Sequence, residues 1–188
     1  MIQIAVFASG SGTNAENLIK SFGSDAQVSA KLVVTNNPKA FVITRAKNLG
    51  VQSIVLKKGE LSSTGFANHL NKEVDGIVLA GFLKLIPESL LAKFPDRILN
   101  IHPSLLPKYG GPGMFGSHVH ESVLKNRELE SGITIHLVNK EYDKGRILFQ
   151  KSTKIETLES IETLQKKIHK LEYDYFPRVV KDHFLDAD

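Results

Sequence analysis

The chain of 188 residues contains no cysteine, which excludes disulfide bonds, thiol nucleophiles and metal sites built on thiolates. It also has no apolar run near the ~20 residues that a membrane-spanning helix needs. No basic segment precedes the apolar N-terminal run, as it would in a signal peptide. A cytoplasmic location is the default expectation, although a chain without cysteine is compatible with any compartment.

Neither sign of charge is in strong excess, since 24 lysines and arginines stand against 20 aspartates and glutamates, a net charge of +4. The basic residues are spread along the chain, and no dense basic stripe contains interleaved aromatic residues. Nucleic acid and membranes are therefore not predicted partners. A small anionic substrate fits the modest positive charge equally well.

Strands and helices alternate through the first hundred residues. The nearly continuous apolar run at residues 2–8 is typical of a strand buried on both faces. Hydrophobic patterning predicts four further strands, at 31–35, 53–56, 76–80 and 97–101, and helices at 14–22, 40–49, 66–73 and 87–93. This order predicts a doubly wound α/β fold with a mostly parallel sheet.

The second half of the chain has a different pattern. Strands are predicted at 133–138 and 147–155, followed by a long amphipathic helix at 158–183, which Pro177 is expected to kink or divide. Its apolar residues step by three or four: Leu158, Ile161, Leu164, Ile168, Leu171, Tyr175 and Val179. The whole chain, 1–188, is predicted to be a single domain with these strands and this helix as a C-terminal extension.

A glycine turn, Ser9-Gly10-Ser11-Gly12-Thr13-Asn14, lies between the first predicted strand and the first helix. Unpaired N–H groups at a helix start suit a phosphate. Glycine lets the backbone approach such a group, and Thr13 and Asn14 add side-chain donors. The alternative is a tight turn in which Thr13 or Asn14 caps the helix.

The same turn matches the loose dinucleotide pattern Gly10-x-Gly12-x-x-Ala15. The acidic residue that would bind a ribose about 20 residues later is missing. Thr35-Asn36-Asn37 stands at that place, and no arginine follows to hold a 2′-phosphate. The sequence therefore favours a monophosphate over a dinucleotide.

Asn100 and His102 lie at the C-terminal end of the fifth predicted strand, where open α/β sheets bind ligands. Residues two apart in a strand point to the same face. An amide and an imidazole side by side can donate hydrogen bonds to a developing oxyanion, and His102 can also move a proton. The alternative is a capped strand end with a solvent-exposed histidine.

Asp143 is a candidate partner for His102, because a carboxylate near an imidazole favours the protonated ring. The alternative for Asp143 is a polar turn residue before Gly145.

Two other chemistries are disfavoured. His118 and His120, with His102 and His136, could suggest a metal site, but no clustered carboxylate supports one. Ser104 and Ser117 lack the context of a nucleophile elbow.

At these residues the sequence resembles the phosphoribosylglycinamide formyltransferases, the folate-dependent enzymes of purine biosynthesis. The block Asn-Ile-His-Pro-Ser-Leu-Leu-Pro-Lys-Tyr is highly specific when it follows Ala-Gly-Phe at this spacing. Five blocks match in order, at residues 9–14, 80–86, 100–109, 132–136 and 142–145.

The resemblance implies a reaction. The amine of the glycinamide ribonucleotide attacks the formyl carbon of 10-formyltetrahydrofolate, and the formyl group passes to the amine without a metal or a covalent enzyme intermediate. Asn100 and His102 would stabilise the oxyanion, with His102 as the acid. Asp143 would raise the pKa of His102 and assist proton transfer.

The resemblance also implies binding residues. Gly12, Thr13 and Asn14 would hold the substrate phosphate, and Glu172, which from the residues alone is an exposed helix position, would contact the ribose. The pterin pocket would be lined, largely by backbone groups, by two segments and Asn100: Leu83, Lys84, Leu85 and Ile86, and Lys140, Glu141, Tyr142 and Asp143.

Some residues depart from the family's pattern. Thr13 stands where the family usually has serine, and the loop at 110–116 is longer and rich in glycine. A basic side chain is absent from 61–66, so Lys57 or Lys58 is the expected replacement toward the folate tail.

Other activities stay open. A formyltetrahydrofolate hydrolase or a methionyl-tRNA formyltransferase would share the Asn-x-His and Asp set but usually carries a further domain. Outside this enzyme class, the alternatives are a dinucleotide-dependent oxidoreductase and a non-catalytic nucleotide-binding module.

Overall fold

In the computed structural model, which describes residues 1–186, seven strands form one sheet. Their order across the sheet is β3-β2-β1-β4-β5-β6-β7. The strands are β1 (Ile2–Phe7), β2 (Val28–Thr35), β3 (Gln52–Val55), β4 (Gly76–Leu79), β5 (Ile98–His102), β6 (Glu130–Leu137) and β7 (Ile147–Lys154). The predicted single domain, 1–188, extends two residues beyond this range and stays a prediction.

The first five strands are parallel, and β6 and β7 are antiparallel to their neighbours. The prediction of a doubly wound, mostly parallel α/β sheet is therefore confirmed. The chain proceeds from β1 outward to β3, then returns to place β4 on the other side of β1. The carboxyl ends of β1 and β4 thus flank a topological switch point, where such sheets form a ligand crevice.

Helices cover both faces of the sheet. They are α1 (Thr13–Phe22), α2 (Val42–Asn48), α3 (Thr64–Glu73), α4 (Glu88–Leu91), α5 (Ser117–Lys125) and α6 (Ile161–Asp186), with a short 3₁₀ helix at Glu60–Ser62. None of these helices is long and apolar enough to cross a membrane within the part of the chain described.

Two hydrophobic clusters, one on each face, hold these helices to the sheet. Successive residues of a strand point to opposite faces, and β1 alternates accordingly. Ile4 and Val6 contribute to the cluster under α1, α2, α5 and α6, whereas Ala5 and Phe7 contribute to the cluster under α3 and α4. Burial on both faces is the reason that β1 is apolar from Ile4 to Phe7.

The C-terminal helix differs from its prediction in its start, in its path through Pro177 and in its buried aromatic residues. It begins at Ile161, leaving Leu158 95% exposed, and it continues through Pro177 without a break. A proline inside a helix costs ~3 kcal/mol. Burial of Phe176, Val180 and Phe184 offsets that cost, at about 1.5–3 kcal/mol for each large apolar side chain. Phe176 and Phe184 are the aromatic residues of the buried face, and Tyr175, which was predicted there, is half-buried against the same cluster.

Candidate active site

A cavity of about 440 Å³ opens at the carboxyl ends of β1, β4 and β5. The glycine turn at 10–14 forms one wall, the ends of β4 and β5 form its floor, and the loop at 111–116 with residues 142 and 143 closes another side. Gln165, His169 and Glu172 of α6 complete the lining. Elements from both halves of the chain therefore meet at the predicted ligand crevice.

The glycine turn presents an uncapped helix start to this cavity. Gly12 is the N-cap of α1, its φ is 74°, and no side chain there accepts a capping hydrogen bond. The alternative in which Thr13 or Asn14 caps the helix is therefore wrong. The free N–H groups of the first turn carry the partial positive charge that suits an anion.

Two asparagines that directly follow β2, Asn36 and Asn37, hold the glycine turn in place. Ser9 Oγ donates to Asn36 Oδ1 at 2.6 Å and accepts from the backbone N–H of Leu83 at 2.9 Å, while Asn37 Nδ2 donates to Ser9 O at 3.4 Å. These asparagines stand where a dinucleotide fold would carry its acidic residue. Their contacts support the turn itself, which agrees with the preference for a monophosphate.

Asn100 lies in a polar cluster at the end of β5. Its Nδ2 atom is 3.1 Å from His136 Nε2 and 3.3 Å from Asp143 Oδ1. His136 Nδ1 is 2.8 Å from the carbonyl oxygen of Leu137, which can only accept, so Nδ1 carries a proton. Sequence reasoning considered His136 only as a metal ligand. The signal that it missed is the strand register, which pairs Asn100 directly with His136.

His102 is enclosed, with 4% of its surface exposed, so the alternative of a solvent-exposed histidine is wrong. Its Nε2 atom lies 2.7 Å from the carbonyl oxygen of Tyr109, which can only accept, so Nε2 carries a hydrogen and donates a hydrogen bond to that oxygen. Its Nδ1 atom lies 3.6 Å from Asp143 Oδ2. The structure thus brings the predicted pair together across the cavity.

The pKa of His102 is lowered, chiefly because burial disfavours the charged ring. Asp143 and the Tyr109 carbonyl act in the opposite direction, and His136 adds to the lowering. The expectation that Asp143 raises the pKa of His102 agrees with the direction of its contribution, and the net shift is downward because burial outweighs that contribution.

Asp143 is an ionised carboxylate in the folded protein. Burial by itself would raise its pKa, but bonding to His136, the charge of His102 and the N–H of Gly111 hold the pKa below its ordinary value. Gly111 N donates to Asp143 Oδ2 at 2.8 Å. Asp143 has a φ of 56°, so it is also a turn residue in the left-handed backbone region, as its alternative interpretation predicts.

Glu128 anchors the segment that holds His102. Tyr109 has a φ of 57°, and its hydroxyl donates to Glu128 Oε1 at 2.9 Å. Lys108 Nζ lies 3.0 and 3.1 Å from the two oxygens of the same carboxylate. These contacts hold Tyr109, whose backbone is in the left-handed region, and so position the carbonyl oxygen that accepts a hydrogen bond from His102.

Glu172 is 6% exposed and lines the cavity beside the glycine turn, so the interpretation of Glu172 as an exposed helix residue is wrong. Asn14 Nδ2 donates to its Oε2 atom at 2.9 Å. Burial raises the pKa of Glu172 to about 7, although the Asn14 bond lowers it in part.

Glu172 should make the stability of the protein depend on pH. Its folded pKa of about 7 exceeds the ordinary value of 4.5, so the folded state holds the extra proton and loses stability as pH rises through 7. Between pH 5 and pH 8 the free energy of unfolding of the wild type should fall by about 2 kcal/mol relative to Glu172→Gln. Urea unfolding at both pH values measures this, with Glu162→Gln on the exposed side of α6 as the control. Parallel pH profiles for the wild type and Glu172→Gln would contradict it.

The predicted pterin-binding residues divide between the cavity and its surroundings. Leu83, Asn100, Tyr142 and Asp143 line the cavity. Lys84 and Leu85 are exposed, and Ile86 is buried in the cluster under α3 and α4. Contacts through the backbone of these residues, and of Lys140 and Glu141, stay predictions.

The histidines do not form a metal cluster. Across residues 1–186, no group of three or more histidines and carboxylates is arranged to hold an ion. His118 is exposed, whereas His120 is buried in the cavity wall.

Comparisons with known proteins agree with this geometry. The family model described as Formyl transferase matches residues 2–180. Phosphoribosylglycinamide formyltransferase of Bacillus subtilis is 35% identical over 188 residues, covering 96% of this chain and 94% of that protein. The chloroplastic enzyme of Arabidopsis thaliana is 40% identical over 187 residues, and the chain spans 64% of its length.

The fold has solved counterparts as well. The crystal structure of phosphoribosylglycinamide formyltransferase from Bacillus halodurans superposes with a TM-score of 0.87 and 33% identity, covering 99% of this chain and 97% of that one. The enzyme from Streptococcus pneumoniae gives a TM-score of 0.83 at 32% identity, covering 98% and 99%. With sequence, fold and site in agreement, the chain belongs to the formyl transferase family, among the phosphoribosylglycinamide formyltransferases.

Proposed function

We propose that the protein transfers the formyl group of 10-formyltetrahydrofolate to the amine of N1-(5-phospho-D-ribosyl)glycinamide, giving the N-formyl product and tetrahydrofolate. One observation carries the proposal. A buried amide, imidazole and carboxylate, from Asn100, His102 and Asp143, share one cavity with an uncapped helix start suited to a phosphate. That cavity can hold a phosphorylated acceptor with its far end against the polar cluster.

The reaction requires a bond exchange at the formyl carbon. The amine nitrogen adds to that carbon, the carbonyl oxygen becomes an oxyanion, and the bond to N10 of the folate then breaks. One proton leaves the amine and one reaches N10, so the transfer is neutral overall.

Asn100 and His102 supply the donors for the oxyanion. The longer contact of Asn100 Nδ2, 3.3 Å to Asp143, is the one that the oxyanion replaces. His102 uses Nδ1, because Nε2 is already bound to the Tyr109 carbonyl. A negative oxygen beside the ring favours its protonated form, so the proton that Asp143 takes from the amine passes to Nδ1, 3.6 Å from Asp143 Oδ2. From Nδ1 the ring donates to the oxyanion and then gives the proton to N10 of the folate as the bond to N10 breaks.

Asp143 assists as an ionised group. Its lowered pKa keeps the carboxylate charged at neutral pH, where it can take a proton from the attacking amine and offset the charge of a protonated His102. Its fixed position, held by Gly111 N, serves both roles.

The ribonucleotide lies between the two ends of the cavity. Gly12, Thr13 and Asn14 bind its phosphate through the start of α1, and Glu172 accepts from a ribose hydroxyl. Leu83, Asn100, Tyr142 and Asp143 contact the folate, joined by the backbone of Lys84, Leu85, Ile86, Lys140 and Glu141.

Both substrates are small molecules, and the proposal includes a cytoplasmic location without a nucleic-acid or membrane partner. The even spread of basic residues along the chain supports the absence of a nucleic-acid partner.

The decisive experiment follows release of the folate product with and without the glycinamide ribonucleotide. We expect release only when the ribonucleotide is present, in equal amount with the formylated product. Release without the ribonucleotide would identify a hydrolase. A folded protein that releases nothing in either case would require another acceptor or a binding role.

A further inference from the structure

His120 is a buried polar residue that has no role in the proposed mechanism. It lies in α5, its side chain is 3% exposed, and it contributes to the cavity wall. Its Nδ1 atom is fully enclosed and has no hydrogen-bond partner within residues 1–186. A buried polar atom without a partner destabilises a folded protein, so its presence here calls for a reason.

The ring of His120 is neutral in the substrate-free protein. Burial, together with smaller contributions from the neighbouring rings of His169 and His102, lowers its pKa to about 4. A neutral imidazole offers one N–H donor and one lone pair. It can therefore bond to a hydroxyl or an amide, whereas it supplies no charge to neutralise a phosphate.

The position of His120 indicates which part of a ligand it meets. His102, at the reacting end of the cavity, is one electrostatic neighbour, and His169 of α6, one turn from Glu172, is the other. The phosphate end is formed by the separate glycine turn before α1. The ring thus lies in the cavity wall near His102 and near α6, the helix that carries Glu172.

We propose that His120 is a substrate-binding residue whose Nδ1 atom bonds to the neutral polar part of the ribonucleotide, its amide or a sugar hydroxyl. This inference rests on the proposed function, because it assigns a contact within the same ribonucleotide site. Nδ1 is enclosed in the free protein, whereas the side chain as a whole lines the cavity, so the ring turns about its Cβ–Cγ bond to present Nδ1 to the ligand. The bound ligand then satisfies the atom that the empty cavity leaves unpaired. The protein therefore gives up stability in the free state and recovers it as affinity.

This exchange predicts opposite changes in stability and affinity. His120→Phe keeps a flat ring and removes both nitrogens, so the urea midpoint of the free protein should stay equal or rise. The Kd for the ribonucleotide, measured by calorimetry without folate, should rise about tenfold or more. The KM for 10-formyltetrahydrofolate should change less than twofold.

Two further variants complete the test. His118→Phe changes an exposed histidine of the same helix that does not line the cavity, and it should leave both the Kd and the urea midpoint unchanged. His120→Asn returns a polar atom close to the Nδ1 position and should recover part of the lost affinity. If His120→Phe does not fold, the same Kd comparison is made between His120→Leu, which removes the polar atoms, and His120→Asn.

Failure of this inference and failure of the proposed function would give different results. A folded His120→Phe variant that loses stability and binds the ribonucleotide as well as the wild type would overturn the inference and make the ring structural. In that case the wild type would still bind the ribonucleotide and transfer the formyl group. A wild type that binds no ribonucleotide would overturn the proposed function itself.

Discussion

Alanine at position 102 should lower kcat by a hundredfold or more while the protein remains folded. Removal of a single oxyanion donor costs about 10²–10³ in kcat in enzymes of acyl transfer. His102 combines a donor role with proton transfer, and its ring is held by the Tyr109 carbonyl and faces Asp143. Asn100 alone would remain to stabilise the oxyanion. The KM values should change much less than kcat, because the phosphate and folate contacts lie elsewhere.

Steady-state kinetics with both substrates, together with circular dichroism and urea unfolding, measure this result. His69→Ala is the matched control, since His69 is an exposed histidine of α3 outside the cavity lining, and it should retain full activity. Near-normal turnover by a folded His102→Ala variant would remove His102 from the mechanism.

Alanine at position 12 should weaken both the fold and the phosphate site. Gly12 has a φ of 74°, and a Cβ atom built on it would contact the side chain of Val42 and approach its Cα to 2.9 Å. The left-handed conformation costs a residue with a Cβ about 1–2 kcal/mol, and the clash with α2 adds overpacking strain of about 1–3 kcal/mol. We expect the free energy of unfolding to fall by about 2 kcal/mol or more. Displacement of the start of α1 should raise the Kd for the ribonucleotide about tenfold.

Gly10→Ala is the control within the same turn. A Cβ atom on Gly10 would meet nothing within 4 Å, so its urea midpoint should stay close to that of the wild type. Equal midpoints for Gly12→Ala and Gly10→Ala would show that neither the φ angle nor the contact with Val42 matters to the fold.

The parallel half of the fold was accessible from sequence because its signals are local. Burial on both faces makes β1 apolar at every position except Gln3, and its neighbours are largely apolar segments between helical patterns. The helix boundaries were less accessible, because α6 continues past Pro177 through its packing against the sheet. Such packing is a tertiary effect that a proline in a sequence does not reveal.

Two of the four members of the polar cluster could be predicted from the sequence, because side chains along a strand alternate between the two faces of a sheet. Asn100 and His102 lie two residues apart in β5, which fixes a common face. The other half depends on long-range pairing. His136 is set opposite Asn100 by the register of β5 and β6, and Asp143 is carried there by the connection to β7. Register is a property of paired strands, so no local pattern discloses it.

The electrostatic state of the site was the least accessible property. A carboxylate beside a histidine predicts a raised histidine pKa, yet enclosure of His102 reverses the net direction. The same holds for Glu172, whose place on a charged amphipathic helix suggested exposure, whereas its burial raises its pKa to about 7. The extent to which a side chain is buried is decided only when all helices and strands have packed together.

The arrangement of the cavity also constrains when it can exist during synthesis. Asn14 and Glu172, which bond across the ribonucleotide end, are 158 residues apart. At about 5–20 residues per second, the ribosome makes them about 8–30 s apart. Until α6 emerges, the face of α1 that it covers and Gly76, against which Phe184 packs, are open to solvent. In a nascent chain the glycine turn is therefore synthesised before α6, the helix that completes the cavity lining. The chain should acquire affinity for the ribonucleotide only after α6 has emerged and packed.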